Sequence, residues 1–201
     1  MPTEQRIVAA ATTLFFEKGY HAATMREVAA AAGIKAGSLY NHFRGKEDLL
    51  FLVASRTMQE LLEGGREAMA EGPDSRTRLR ALVKRHVVYH AKQRYQAKVA
   101  DEQLHALPPA RRAEVVEIRD AYEQLFADVL ESGRAEYGWV VPDARVVTFA
   151  ITTMCTGVDA WYREDGRLTA AAIADIYADF VLAALEDGRA PLPRSRSFDG
   201  S

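Results

Sequence analysis

The chain has 201 residues, a mass of 22.3 kDa and a formal net charge of −2 from 26 Lys+Arg and 28 Asp+Glu. With 48% hydrophobic and 27% charged residues it excludes global disorder, and no apolar run approaches the ~20 residues of a membrane span. One cysteine, Cys155, excludes an intramolecular disulfide; with no signal pattern at the N-terminus, the expected location is a reducing cytoplasm.

Helical periodicity runs through the sequence and no stretch alternates like a strand, so the expected fold is all-α with about nine helices. The first helix spans about 3–18, with Ile7, Ala11, Leu14 and Phe15 on one face and Gly19 as a left-handed stop. Thr24-Met25-Arg26-Glu27 reads as a capping box, in which the Thr24 hydroxyl accepts from the Glu27 amide and the Glu27 carboxylate reaches back. It opens a short alanine-rich second helix over about 25–32, ended by Gly33, and a third covers about 36–42. Gly45-Lys46 opens a long fourth helix. Inside it Gly64-Gly65 cost ~1 kcal/mol each against alanine, which predicts weakening or a bend before a stop near Gly72-Pro73-Asp74. A fifth helix starts near Ser75 and turns Leu79, Leu82, Val83, His86, Val87 and His90 inward. A sixth is expected over about 97–106 and a long seventh over about 109–136. The eighth should run from Pro142-Asp143 to about Tyr162, and the ninth from a Thr169 cap to about Leu185. Residues 188–201 lack periodicity and are expected to form a disordered tail.

The near-neutral total hides an uneven distribution. Between Thr24 and Lys46 lie four basic residues and one acidic, whereas residues 51–201 carry 20 basic and 23 acidic. A short basic patch on an acidic chain is an electrostatic footprint for phosphates. It coincides with two short helices joined by a glycine turn and preceded by a supporting helix, the arrangement of a helix-turn-helix unit over residues 1–50. With Leu39 and Phe43 inward against Ile7, Leu14, Phe15 and Val28, the outer side of the third helix carries Lys35, Ala36, Gly37, Ser38, Tyr40, Asn41 and His42. Small and polar residues at that helix start can approach base edges in a major groove.

The motifs Ala10-Ala11-x-x-Leu14-Phe15, Gly19-Tyr20, Thr24-Met25-Arg26-Glu27-Val28-Ala29, Ala32-Gly33-Ile34, Gly37-Ser38-Leu39-Tyr40-x-His42-Phe43 and Lys46-Glu47-x-Leu49 resemble the DNA-binding domain of TetR-type bacterial transcriptional repressors. The resemblance implies phosphate contacts from Thr24, Arg26, Tyr40, His42 and Lys46, and base-edge contacts from Lys35, Gly37, Ser38 and Asn41. Lys35 departs from the Ser or Thr common at that point, so the third helix lacks its usual N-cap; the lysine either meets DNA or is solvated. The implied partners are a double-stranded operator, a small-molecule effector and a second copy of the chain.

Residues 51–187 are the expected effector-binding and dimerisation region. A dimer would bury the stripe Val147, Ile151, Met154 and Val158 on the eighth helix and Ile173, Tyr177, Phe180 and Val181 on the ninth. Candidates for the effector pocket combine aromatic bulk with a polar tip: His86, Tyr89, His90, Tyr122, Phe126, Phe149 and Trp161. His86 and His90, four apart, would bind a metal only with a third ligand; no Glu or Cys has diagnostic spacing, so no metal or other cofactor is expected. Leu104-x-x-Leu107-Pro108, Arg119-x-x-Tyr122 and Trp161-Tyr162-Arg163 also resemble family members linked to fatty-acid and acyl-CoA breakdown. The resulting expectation is a ligand-released repressor and no enzyme. The alternatives are a helical small-molecule enzyme using His86 or His90, and a DNA-binding activator.

Overall fold

The computed structural model describes residues 2–186, so the tail expected at 188–201 lies outside the described residues. These residues form α1 (Thr3–Lys18), α2 (Met25–Ala31), α3 (Ala36–Tyr40), α4 (Lys46–Glu71), α5 (Ser75–Lys92), α6 (Arg94–Glu102), a 3-10 turn (Leu104–Ala106), α7 (Pro109–Tyr137), α8 (Ala144–Thr156), α9 (Val158–Trp161) and α10 (Ala170–Glu186), with no strand among them. The all-α expectation holds.

Local signals explain most helix ends. The Thr24 hydroxyl accepts from the Glu27 amide at 3.3 Å and the Thr24 amide donates to the Glu27 carboxylate at 2.9 Å, which completes the capping box. Asp74 and Asp143 cap α5 and α8 by accepting from Thr77 and Val146 amides. Gly138 ends α7 in the left-handed region at φ 70°. Gly19 also takes a positive φ, 82°, but with ψ 149° the chain leaves α1 extended and not through a left-handed helical turn.

Three expected spans change. The third helix ends at Tyr40, because Asn41 and His42 tighten into a turn in which the His42 amide bonds the Leu39 carbonyl at 3.0 Å. α6 begins at Arg94, straight after the α5 cap at Gln93. The eighth helix breaks at Gly157, and the short α9 then turns Val158 fully inward.

In the N-terminal unit Ile7, Phe15, Val28, Leu39, Leu49 and Leu50 are fully or almost fully buried together. Ala29 and Ala32 pack close, while Ala30 and Ala31 face solvent. Beyond it α5 is the axis: α4, α7, α8 and α10 all pack on it, and Leu79, Leu82, Val83 and Val87 are shielded on every side. Gly64-Gly65 do not interrupt α4. A Cβ on Gly65 would sit 2.8 Å from Leu125 Cδ1 and 3.1 Å from Tyr122 Cε2, so this glycine permits close helix approach.

Candidate nucleic-acid interface and internal cavity

α2 and α3 present one polar face. Thr24, Arg26, Lys35, Gly37, Ser38, Tyr40, Asn41 and His42 are all exposed, Tyr40 by 53%, while Leu39 between them is fully buried. Lys35 stands at the N-cap of α3 without a side-chain cap bond, and its carbonyl accepts from the Ser38 and Leu39 amides at 2.9 and 3.2 Å. Lys46 is placed differently from its neighbours. Its ammonium donates to the Tyr20 and His21 carbonyls, both at 2.9 Å, and lies 4.9 Å from the Tyr20 ring centroid. It therefore ties the start of α4 to the α1–α2 loop, with one N–H left over for a phosphate. Glu27, the acidic residue within the patch, is paired with Lys18, and this pair and the Thr24 bonds hold its carboxyl down at about 2.

A cavity of about 250 Å³ opens among α4, α5, α6, α7 and α8, lined by Met58, Leu61, His86, His90, Asp101, Arg119, Tyr122, Glu123, Thr152, Thr153 and Thr156. Three of the expected pocket residues, His86, His90 and Tyr122, meet there. The His86 ring has Tyr122 Oη 2.8 Å from Nδ1 and Thr156 Oγ1 3.0 Å from Nε2, and it stacks on His90 with centroids 4.4 Å apart. Burial drives both imidazoles toward the neutral form, His90 down to about 4. Phe126 is fully buried behind the wall, its ring 5.5 Å from Tyr122 and 6.2 Å from His86.

The other expected pocket residues lie elsewhere. Tyr89 donates to Glu60 at 2.9 Å in a separate cleft beside Arg85. Phe149 sits under Arg145 in a surface cleft, and Trp161 is 53% exposed outside the cavity. A helical face decides direction only when its neighbours are known, which spacing alone did not supply. Asp101, Arg119, Glu123 and the threonines of α8 were not expected as lining. The polar run Thr152-Thr153 and Thr156 inside an apolar helix was the signal for them. No set of three His, Cys, Asp or Glu suited to a metal exists among the described residues. Cys155 is fully buried, and burial pushes its thiol up to about 12, which disfavours the reactive thiolate.

The expected dimer residues divide in two. Ile151, Val158, Ile173 and Val181 are buried within the protomer. Val147, Met154, Tyr177 and the 64% exposed Phe180 face outward at least in part, joined by exposed Val146 and Ile176. Val147, Ile151, Met154, Phe180, Val181 and Leu185 line an apolar groove between α8 and α10. Among the described residues no helix is long and apolar enough to cross a membrane.

A polar helix-turn-helix face joined to a helical body that carries a cavity is the arrangement of a transcriptional regulator. The model for "Bacterial regulatory proteins, tetR family" matches residues 7–53, and that for "Tetracyclin repressor-like, C-terminal domain" matches 72–185. The chain belongs to the TetR family, whose members regulate transcription, so the enzyme alternative on His86 or His90 does not stand. It is 35% identical over 178 residues to the HTH-type transcriptional repressor KstR2 of Rhodococcus jostii (strain RHA1), covering 86% of this chain and 85% of that protein. With the fatty acid metabolism regulator protein of Bacillus subtilis (strain 168) it shares 24% over 190 residues, covering 92% and 97%. The solved structure of the ketosteroid transcriptional regulator KstR2 of Mycobacterium tuberculosis matches with a TM-score of 0.82 at 25% identity, covering 90% of this chain and 95% of that one.

Proposed function

We propose that this regulator is a ligand-released repressor that binds a palindromic operator as a homodimer. The polar face of α2 and α3 carries the reading: Arg26, Lys35, Gly37, Ser38, Tyr40, Asn41 and His42, suited to phosphates and base edges, lie exposed together over a core that buries Leu39 and Phe43, with Thr24 and Lys46 beside them. Residues 1–50 form the DNA-reading unit, and residues 51–187 form the effector and dimer region. The apolar groove between α8 and α10 supports dimerisation, since outward Phe180, Ile176 and Val146 gain by leaving water together. The cavity supports a small effector. The names of the relatives, a ketosteroid transcriptional regulator and a fatty acid metabolism regulator, point to an apolar molecule of acyl or steroid kind.

An operator shift assay across a salt series tests this reading. Wild type should shift a palindromic fragment, with affinity falling steeply as salt rises. Tyr40→Phe should weaken binding uniformly, and Phe180→Glu should give monomers in sedimentation and lose the shift. Failure of the wild type to bind any fragment from its own upstream region would overturn the proposal.

A further inference from the structure

The carboxylate of Asp48 is shared between two partners from different parts of the chain. Oδ2 accepts from the Arg44 amide at 2.8 Å, and Oδ1 accepts from the Arg111 guanidinium at 2.5 Å. Asp48 lies within the span matched by the N-terminal family model, 7–53, and Arg111 within that matched by the C-terminal one, 72–185. The bond to Arg44 is local: a carboxylate in the first turn of a helix reaches back to an amide ahead of it. What it holds is the loop 41–45, which joins α3 to α4 and carries His42 and Arg44, both exposed. The bond to Arg111 spans 63 positions of sequence. The Arg111 guanidinium also lies 5.2 Å from the Phe51 ring centroid, so α4 holds it at two points.

The side chains of the pair remain 34% and 22% exposed, and such a pair adds little to stability. Its effect on charge is larger. Without Arg111 a bare carboxylate would stand in the same helical turn as Lys46, beside His42 and Arg44, where it would repel an approaching phosphate. We propose that Arg111 is a positioning residue for operator binding: it does not touch DNA, but neutralises Asp48 and so holds the Arg44 amide and the α3–α4 loop in place for the phosphate backbone. The proposal rests on the reading of the α2–α3 face as the DNA-binding surface. It gives the C-terminal domain a residue that acts in DNA recognition.

The test is a double-mutant cycle on the full chain, with operator affinity measured on the upstream duplex that wild type shifts. Arg111→Met keeps the stem on Phe51 and should weaken binding by about fivefold or more, with circular dichroism and dimer mass unchanged. Arg111→Lys keeps the charge and should stay within about twofold of wild type. Asp48→Asn still accepts from the Arg44 amide and no longer needs a cation, so Arg111→Met in that background should cost less than about twofold. In 15N spectra the Arg44 amide resonance should move in Arg111→Met. An equal loss in both backgrounds would make Arg111 a direct DNA contact and overturn the proposal. So would wild-type affinity in Arg111→Met, a loss in Arg111→Lys as large as that in Arg111→Met, or an unmoved Arg44 amide. Wild type that binds no upstream duplex removes the operator reading and this inference together, whereas wild type that binds as Arg111→Met does removes this inference alone.

Discussion

Arg111, in the first turn of α7, donates to the carboxylate of Asp48, in the first turn of α4, at 2.5 Å. The same carboxylate accepts from the Arg44 amide at 2.8 Å, and the Arg111 guanidinium lies 5.2 Å from the Phe51 ring centroid. Burial alone would raise the Asp48 carboxyl, but Arg111 and the Arg44 amide outweigh it and hold the group below its ordinary value. Arg111→Met keeps the stem and removes the pair. It should cost about 1 kcal/mol in urea unfolding, as should Asp48→Asn, and the double variant should cost less than the two together. Strict additivity would show that the two side chains do not interact in solution.

Gly64 and Gly65 should respond differently to alanine. The atoms nearest a Cβ at Gly64 belong to the Arg85 guanidinium, a flexible end that can move, so Gly64→Ala should be neutral or stabilise by up to about 1 kcal/mol. At Gly65 the methyl meets Leu125 and Tyr122 in the core, and Gly65→Ala should destabilise by about 1–2 kcal/mol. If both alanines stabilised equally in thermal melts, the close approach at Gly65 would not exist.

The buried histidines set an acid limit. Both fold with lowered values, His90 at about 4 against 6.5 unperturbed. A depressed group contributes stability that is fully present above the unfolded value and lost as pH falls toward the folded one. Wild type should therefore lose stability from pH 6.5 downward, by up to ~1.4 kcal/mol per pH unit for each histidine. Asp101 and Glu123, raised by burial, act in the opposite sense, so the comparison that isolates the imidazole is wild type against His90→Leu. Urea midpoints at pH 7, 6 and 5 should fall more gently in the variant, and equal slopes would mean that His90 is charged in the fold.

Thr24 is fully used by its cap, since its hydroxyl also donates to Glu27 at 2.8 Å while accepting the Glu27 amide. Thr24→Ala should cost about 1 kcal/mol and Thr24→Ser a few tenths. Operator affinity of Thr24→Ser should stay within about twofold of wild type. A larger loss without a stability change would assign the methyl group a DNA contact.

The helix-turn-helix was legible because each of its parts has a local cause. The Thr24-Glu27 box, Gly33 at φ 66° and the inward Leu39 are determined by residues within a few positions of one another. The body was legible only as helices. Val158 reads as a surface stripe until Gly157 breaks the helix and turns it inward, and nothing local to Lys46 announces that its ammonium also ties the Tyr20 and His21 carbonyls of another segment. Phe16 stacking on Tyr95 at 4.1 Å, which joins α1 to α6, has no local signal at all. Long-range packing decided those positions, and periodicity contains no information about it.

α4 is one unbroken helix whose first turn holds Lys46 and Asp48 and whose later part packs Gly65 on Tyr122 of the cavity wall. At 1.5 Å per residue those two ends lie about 28 Å apart. Such a rod is a lever arm: each degree of rotation about its cavity end sweeps the other by ~0.5 Å, so roughly five degrees displaces the Tyr20 and His21 anchor by nearly the length of a hydrogen bond.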